Sequence, residues 1–289
     1  MNRVTKFFQT PLVSAIAALT LGAGGLPVRA TEPCGDFGKC KVLVEINSSD
    51  GDIGFHFLGD ADDLRSMRIT GPSGEKLYEN RVFGAFRNQK ITENFGESAE
   101  PLCWFDPEED ELDDVVTLRE FVDRWAAGTY IFSAKGENGE KLTGETELTF
   151  NFPAAPKDVE FDGSTITWTG GDDLGNCAPI DAEDAEENGV EPISEVTDII
   201  PDPSGVPVAA FEVVLAPDVE DGVPIGDEIF SVRVSGATFA VDVPALYLLS
   251  LPADTPVKIE VGAIGLDDNA TFTEADGFCI NEDEGCEED

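Results

Sequence analysis

Between Lys41 and Phe57 two runs show a period of two: Val42, Val44 and Ile46 alternate with Leu43 and Glu45, then Ile53, Phe55 and Phe57 alternate with Gly54 and His56. The turn residues Ser49-Asp50-Gly51-Asp52 separate the two runs. A period of two fits a strand with one buried face and does not fit a helix. Two such runs around a Gly-Asp turn form a hairpin candidate. The rhythm returns at Ser66–Gly71, closed by Pro72-Ser73-Gly74, at Lys76–Glu79 and at Arg81–Phe86. It returns again at Thr129–Ala134 and Leu142–Phe152, which flank the turn Gly136-Glu137-Asn138-Gly139. Beyond Pro153-Ala154-Ala155-Pro156, read as a linker, strands are expected at Val159–Gly163, Ser164–Thr169, Val208–Leu215 and Glu228–Val234. Three more are expected at Thr238–Val243, Val257–Ile264 and Ala270–Glu274.

One segment breaks the β pattern. Thr117-Leu118-Arg119-Glu120 has the form of a capping box, in which the threonine side chain takes an orphan amide and the glutamate reaches back. Leu118, Phe121, Val122 and Trp125 follow on one helical face, and Gly128 is placed to end the helix. Such a helix closes one end of a sandwich. The fold class expected is therefore mainly β: two β-sandwich domains over residues 31–153 and 154–280, the first with one short α-helix, followed by an acidic tail over 281–289.

Residues 1–30 stand apart from the fold. Arg3 and Lys6 precede an uncharged run from Leu12 to Leu26, and Val28-Arg29-Ala30 ends it with a small residue. This is the layout of a secretory signal, too short and too rich in glycine and proline for a permanent membrane span. No later segment has membrane length, so the mature chain is expected to be exported, to the periplasm or beyond the cell, with no span of its own. Removing a leader with three basic and no acidic residues leaves 259 residues, 15 Lys plus Arg against 59 Asp plus Glu, and a formal net charge of −44. Such a surface repels nucleic-acid phosphates and anionic membranes, which excludes both as partners.

The six cysteines, Cys34, Cys40, Cys103, Cys177, Cys279 and Cys286, read as disulfide partners in an exported chain. Nearness along the chain favours Cys34 with Cys40 and Cys279 with Cys286. That leaves Cys103 with Cys177, a bridge across the border between the domains. No CxxC pair is present, so neither a redox motif nor a zinc ribbon is suggested.

Three acidic constellations are candidates for chemistry. Asp184, Glu186, Asn188, Gly189 and Glu195 take positions 1, 3, 5, 6 and 12 of an EF-hand-like loop and form a calcium candidate. The fit is broken by Glu191 and Pro192 and by the lack of flanking amphipathic helices. Asp106 to Asp114 is a dense carboxylate run, read as a solvated loop. His56, the only histidine, follows Asp50 and Asp52, but a histidine facing away from Ile53, Phe55 and Phe57 reads as a surface residue, and the two aspartates as turn formers. Sequons occur at Asn47-Ser48-Ser49 and Asn269-Ala270-Thr271. No serine-hydrolase elbow, HExxH, phosphate loop or dinucleotide fingerprint occurs.

The second half resembles a fibronectin type III domain over residues 154–280. The resemblance is carried by GSTITWTG, with Trp168 where that family buries a tryptophan on its second strand, by AAFEVVL, and by LPADTPVKIEVGAIGLDDNATFTE. Val257 stands at the family's tyrosine position, so its tyrosine corner is missing, and the acidic excursion from Gly170 to Glu195 is longer than the family's usual loop. The first half is similar to uncharacterised exported bacterial β domains that carry an EIN…DGDIGFH stretch. Both resemblances imply architecture rather than activity. The reading is an exported, non-enzymatic binding or structural module with a protein or carbohydrate partner. The alternatives are a carbohydrate-active hydrolase using paired carboxylates and a calcium-stabilised accessory domain.

Overall fold

The hairpin at Asp50-Gly51 joins β1 (Lys39–Asn47) to β2 (Asp52–Leu64), which run antiparallel from Lys39↔Asp60 to Asn47↔Asp52 in a computed structural model that describes residues 34–103, 116–177, 199–219, 224–281 and Cys286. Gly51 supplies the left-handed backbone, φ +78°, that the turn requires. On the other side of β2 lies β5 (Ile91–Glu97). A four-stranded sheet, in the order β4-β3-β6-β7, packs against these three strands; its members are β3 (Ser66–Thr70), β4 (Lys76–Arg81), β6 (Gly128–Lys135) and β7 (Lys141–Leu148). Val44, Ile46, Ile53 and Phe55 from one sheet meet Met67, Ile69, Tyr130 and Phe132 from the other. The alternation read from sequence is thus the inner face of a sandwich.

In the second half, β8 (Lys157–Phe161), β9 (Thr165–Thr169) and β12 (Ala240–Asp242) form a three-stranded sheet. It faces β10 (Val208–Pro217), β11 (Phe230–Ser235), β13 (Thr255–Gly265) and β14 (Ala270–Ile280). Ile166 and Trp168 on β9 are buried against Phe211, Val213, Val261 and Ala263. Trp168 meets Phe211 edge-on, with ring centroids 5.3 Å apart. Three strands over four, with the larger sheet ordered β11-β10-β13-β14, make this a fibronectin type III or immunoglobulin-like sandwich.

The two sandwiches are built on one sheet. β1 runs parallel to β14, with Glu45↔Ala270, Ile46↔Thr271 and Asn47↔Phe272, which yields a seven-stranded order β11-β10-β13-β14-β1-β2-β5. Directly paired residues share a face. Ile46 is therefore on the same side as Thr271, Ala263 and Phe211. Both smaller sheets cover that side. The opposite side carries Glu45, Gly54, His56, Glu97, Phe272, Glu274, Glu260 and Glu212.

The joint between the halves is dense. Asn269, wholly buried, accepts from the Val44 amide at 2.9 Å and donates to the Thr149 carbonyl at 3.0 Å. Ser49 accepts from the Glu274 amide at 2.8 Å, and the Thr273 hydroxyl donates to the Pro156 carbonyl. Residues 153–156 are themselves buried, and Ala155 donates to the Asp173 carbonyl at 2.8 Å. Disulfides join Cys34 to Cys40, Cys103 to Cys177 and Cys279 to Cys286. Cys103 and Cys177 both lie in the first core, so the segment after β9 is drawn onto the first sandwich.

A short helix, α1 (Gly84–Gln89), occupies part of the stretch expected as a strand over Arg81–Phe86. The strand stops at Arg81 because Gly84 takes φ +56° and turns the chain, leaving Phe83 and Phe86 exposed. α2 (Leu118–Arg124) begins at the full capping box of Thr117 and Glu120 and buries Leu118, Phe121 and Val122. Trp125 ends it and stacks on Phe55, centroids 4.1 Å apart. A third short helix, α3 (Ala245–Leu248), precedes β13. Among the described residues no helix is long and apolar enough to cross a membrane.

Candidate functional site

The site is assembled by strand parity. On β2, Asp52, Gly54 and His56 alternate with Ile53, Phe55 and Phe57, so they project from the outer side of the shared sheet. Glu45 on β1 lies directly opposite Gly54 and diagonal to His56. Glu97 on β5 lies directly opposite His56 from the other side. Beyond β5 the chain continues along β2: Ser98 donates to the Phe55 carbonyl at 2.9 Å and Ile53 donates to the Pro101 carbonyl at 3.1 Å. That irregular segment brings Glu100 over Gly54.

Glycine at position 54 is what makes room. A Cβ there would stand 2.9 Å from Glu100 Oε1, so the Glu100 side chain would have to shift, and 3.0 Å from His56 Nε2, a tight contact. Glu45, His56 and Glu100 each offer one ligand-type atom, and these atoms all lie within 4.8 Å of one another. His56 is 6 % exposed. The surface position expected for it is thus corrected. The side of the strand is the one expected, away from Ile53, Phe55 and Phe57, but Glu45, Glu100 and the edge of Phe95, 6.1 Å away, enclose the ring there.

Burial dominates the electrostatics. It pushes the Glu45 carboxyl up to about 7, with His56 opposing and Glu100, Glu212 and Glu97 adding to the rise. Asp52 is also pushed up to about 7, first by burial and then by Glu100, Asp50 and Glu45. Burial raises Glu97 as well, against the pull of His56. For His56 burial works downward, but Glu100, Glu45 and Glu97 outweigh it and hold the imidazole above its ordinary value. Its Nε2 has no hydrogen-bond partner, with Glu100 Oε1 3.5 Å away and poorly placed to accept.

A second charged group on the same side of the sheet differs in one respect. Glu274 and Glu260 share a lysine, with Lys258 Nζ 3.0 Å and 3.7 Å from their carboxylates. No described lysine or arginine plays that part for Glu45, Glu97 or Glu100; His56 is their cationic neighbour.

The other positions singled out in the sequence fall elsewhere. Asp50 stays in the exposed turn and accepts from the Asn47 side chain at 2.9 Å. Asp184, Glu186, Asn188 and Glu195 lie outside the described residues, as do Asp106 to Asp114 and residues 1–30. Val257 is buried in the second core at the place the resemblance gives to tyrosine. Asn269, part of a sequon, is fully enclosed in the folded chain. Glu45 and Glu100 were not anticipated. The available signal was Gly54, a glycine inside a strand, which marks close approach of other groups. An open depression of about 350 Å³ also lies at the joint, lined in part by Asn151, Pro207, Leu266 and Asp267.

Fold and site together define a mainly β protein: two sandwiches on one sheet, with an imidazole held among carboxylates on the sheet's outer side. No protein-family model matches the chain, and no curated protein does. Among solved structures it is similar to a two-domain fibronectin type III segment of chicken tenascin, at 11 % identity and a TM-score of 0.24, covering 82 % of this chain and 97 % of that one. It is also similar to a tetra-tandem repeat in the extending region of a large adhesion protein, at 13 % identity and 0.24, covering 84 % and 49 %. A third is the BSP domain of a biofilm associated protein, at 11 % and 0.21, covering 86 % and 30 %. Strand order and the two cores, rather than these likenesses, define the architecture.

Proposed function

We propose that this chain acts outside the cytoplasm as a non-enzymatic module that binds or spaces another macromolecule, a protein or a carbohydrate. The observation that carries this reading is the parallel pairing of β1 with β14, which puts both sandwiches on one sheet. Two units joined by a loose linker move independently. Two units that share a sheet and a buried joint present their loops and faces in a constant arrangement, which suits a contact spanning both. The three disulfides fit an oxidising compartment. The acidic surface keeps such a module soluble and away from anionic membranes. Exposed apolar side chains such as Leu246 and Leu249, at the end of α3, supply contact groups of the kind that loops carry.

The test is to probe the purified protein against a panel of polysaccharides and extracellular proteins, following both retention and release of reducing ends. Saturable retention without turnover supports the module. Release of reducing ends that is lost when paired carboxylates are changed to amides would establish the hydrolase instead.

A further inference from the structure

We propose that Glu45, His56 and Glu100 form a site for a divalent cation of the zinc type, on the outer side of the shared sheet. This goes beyond the binding-module reading and does not depend on it. One imidazole nitrogen and two carboxylates from three separate segments already point at a common space, their ligand atoms within 4.8 Å of one another. His56 is 6 % exposed, and its Nε2 faces that space without a hydrogen-bond partner. A buried imidazole nitrogen that meets only the Glu100 carboxylate, 3.5 Å away and outside hydrogen-bond geometry, is poorly satisfied, and on losing its proton it can bond an ion instead. The backbone keeps the space open, because any side chain at position 54 would press on both Glu100 and His56.

Charge points the same way. Glu260 and Glu274 on this side of the sheet have Lys258 between them, whereas the acids around His56 have no lysine or arginine in that role among the described residues. A divalent ion does for the acids around His56 what Lys258 does for Glu260 and Glu274. The nitrogen donor selects the ion. Calcium and magnesium prefer all-oxygen shells, while zinc takes imidazole together with carboxylate. Tetrahedral bonds of about 2.0 Å put neighbouring donors about 3.3 Å apart. His56 Nε2 and Glu100 Oε1 already stand 3.5 Å apart, so the closure needed is mainly toward Glu45, with Glu100, whose side chain is 31 % exposed on an irregular segment, free to follow. The remaining position falls to water. The bound ion clamps residues 98–101 onto β1 and β2, just ahead of the Cys103 disulfide.

The experiment is calorimetric titration of the purified, chelator-treated protein with Zn2+ and, separately, Ca2+, with thermal melting of each mixture. One equivalent of Zn2+ is expected to bind more tightly than Ca2+ and to raise the melting temperature. Glu100→Gln and His56→Gln should each weaken Zn2+ binding at least tenfold, and Glu260→Gln should leave it unchanged. His56 is buried, so its substitution also tests folding, whereas Glu100→Gln, on a partly exposed segment, tests the ligand alone and decides the matter. No saturable Zn2+ binding, equal affinity for Ca2+, or undiminished Zn2+ affinity in Glu100→Gln would each overturn the site.

Discussion

The side-chain oxygen of Asn269 accepts a hydrogen bond from the backbone amide of Val44, 2.9 Å away across 225 positions of sequence. Its amide group donates to the Thr149 carbonyl on the chain that leaves the first sandwich. One fully enclosed side chain thus ties both strands of the parallel joint to the connection between the halves. Asn269→Ala leaves the buried Val44 amide and the partly buried Thr149 carbonyl without this partner. A loss of about 2–4 kcal/mol is expected for the two together, measured by denaturant unfolding. A loss below about 0.5 kcal/mol, the range of ordinary surface substitutions, would mean that the joint does not depend on this residue.

The disulfide between Cys103 and Cys177 closes a loop with a sequence separation of 74. In the chain-entropy account a loop of that length contributes about 4 kcal/mol, through the unfolded state. The paired substitution Cys103→Ser with Cys177→Ser should therefore cost about 2 kcal/mol more than the loss of Cys34–Cys40, which spans a separation of 6. Unfolding curves of the two double variants under identical conditions decide this; equal losses would rule out loop closure as the cause.

The raised carboxyls set the direction of the pH dependence. Glu45 and Asp52 sit at about 7 in the folded chain, above their ordinary values, so the folded state holds these protons more tightly than the unfolded state does. His56, Glu97 and Glu260 are raised as well. The stability these groups contribute is complete below their unfolded values and is lost as pH rises through about 7. The metal-free protein should melt at a lower temperature at pH 8 than at pH 5.5. Glu45→Gln should flatten that slope. A melting temperature that rises across this interval would contradict the burial of these acids.

His56 is the only histidine of the chain, so its ring signals can be followed without ambiguity by NMR. The neighbouring carboxylates hold its titration above the ordinary value against the effect of burial. Glu100→Gln removes one of them and should move the His56 titration downward. Gly54→Ala should act in the same direction, since the new methyl group displaces Glu100 from its place over the strand. An unchanged His56 titration in both variants would show that Glu100 does not face the ring.

Much of the local structure was legible in the residues. The alternation of Val42, Val44 and Ile46 with Lys41, Leu43 and Glu45, and of Ile53, Phe55 and Phe57 with Gly54 and His56 after the turn, assigns one face of β1 and β2 to a core, because a strand's side chains have a period of two. Thr117 and Glu120 announce the start of α2, because a capping box acts within a single turn. β5 was not legible. Its inward positions are Asn94 and Gly96 rather than apolar residues, and Gly96 is small because the ring of Phe57 occupies the space where a side chain would stand. The strand that leads to Glu100 thus lacks the pattern by which strands are read.

The order of residues by itself determined that His56 projects from the opposite side of β2 to Phe55, since parity is a local property of an extended backbone. Whether that side faces water or a cluster of acids was decided only by the tertiary structure. Glu45 and Glu100 come from segments whose distance from His56 in space depends on strand pairing. In the same way, two runs of strands are written in the sequence, but their fusion into one sheet rests on β1 meeting β14 across more than two hundred residues. Long-range pairing leaves little trace in local composition, because either strand's alternation is satisfied by any neighbour that covers the same face.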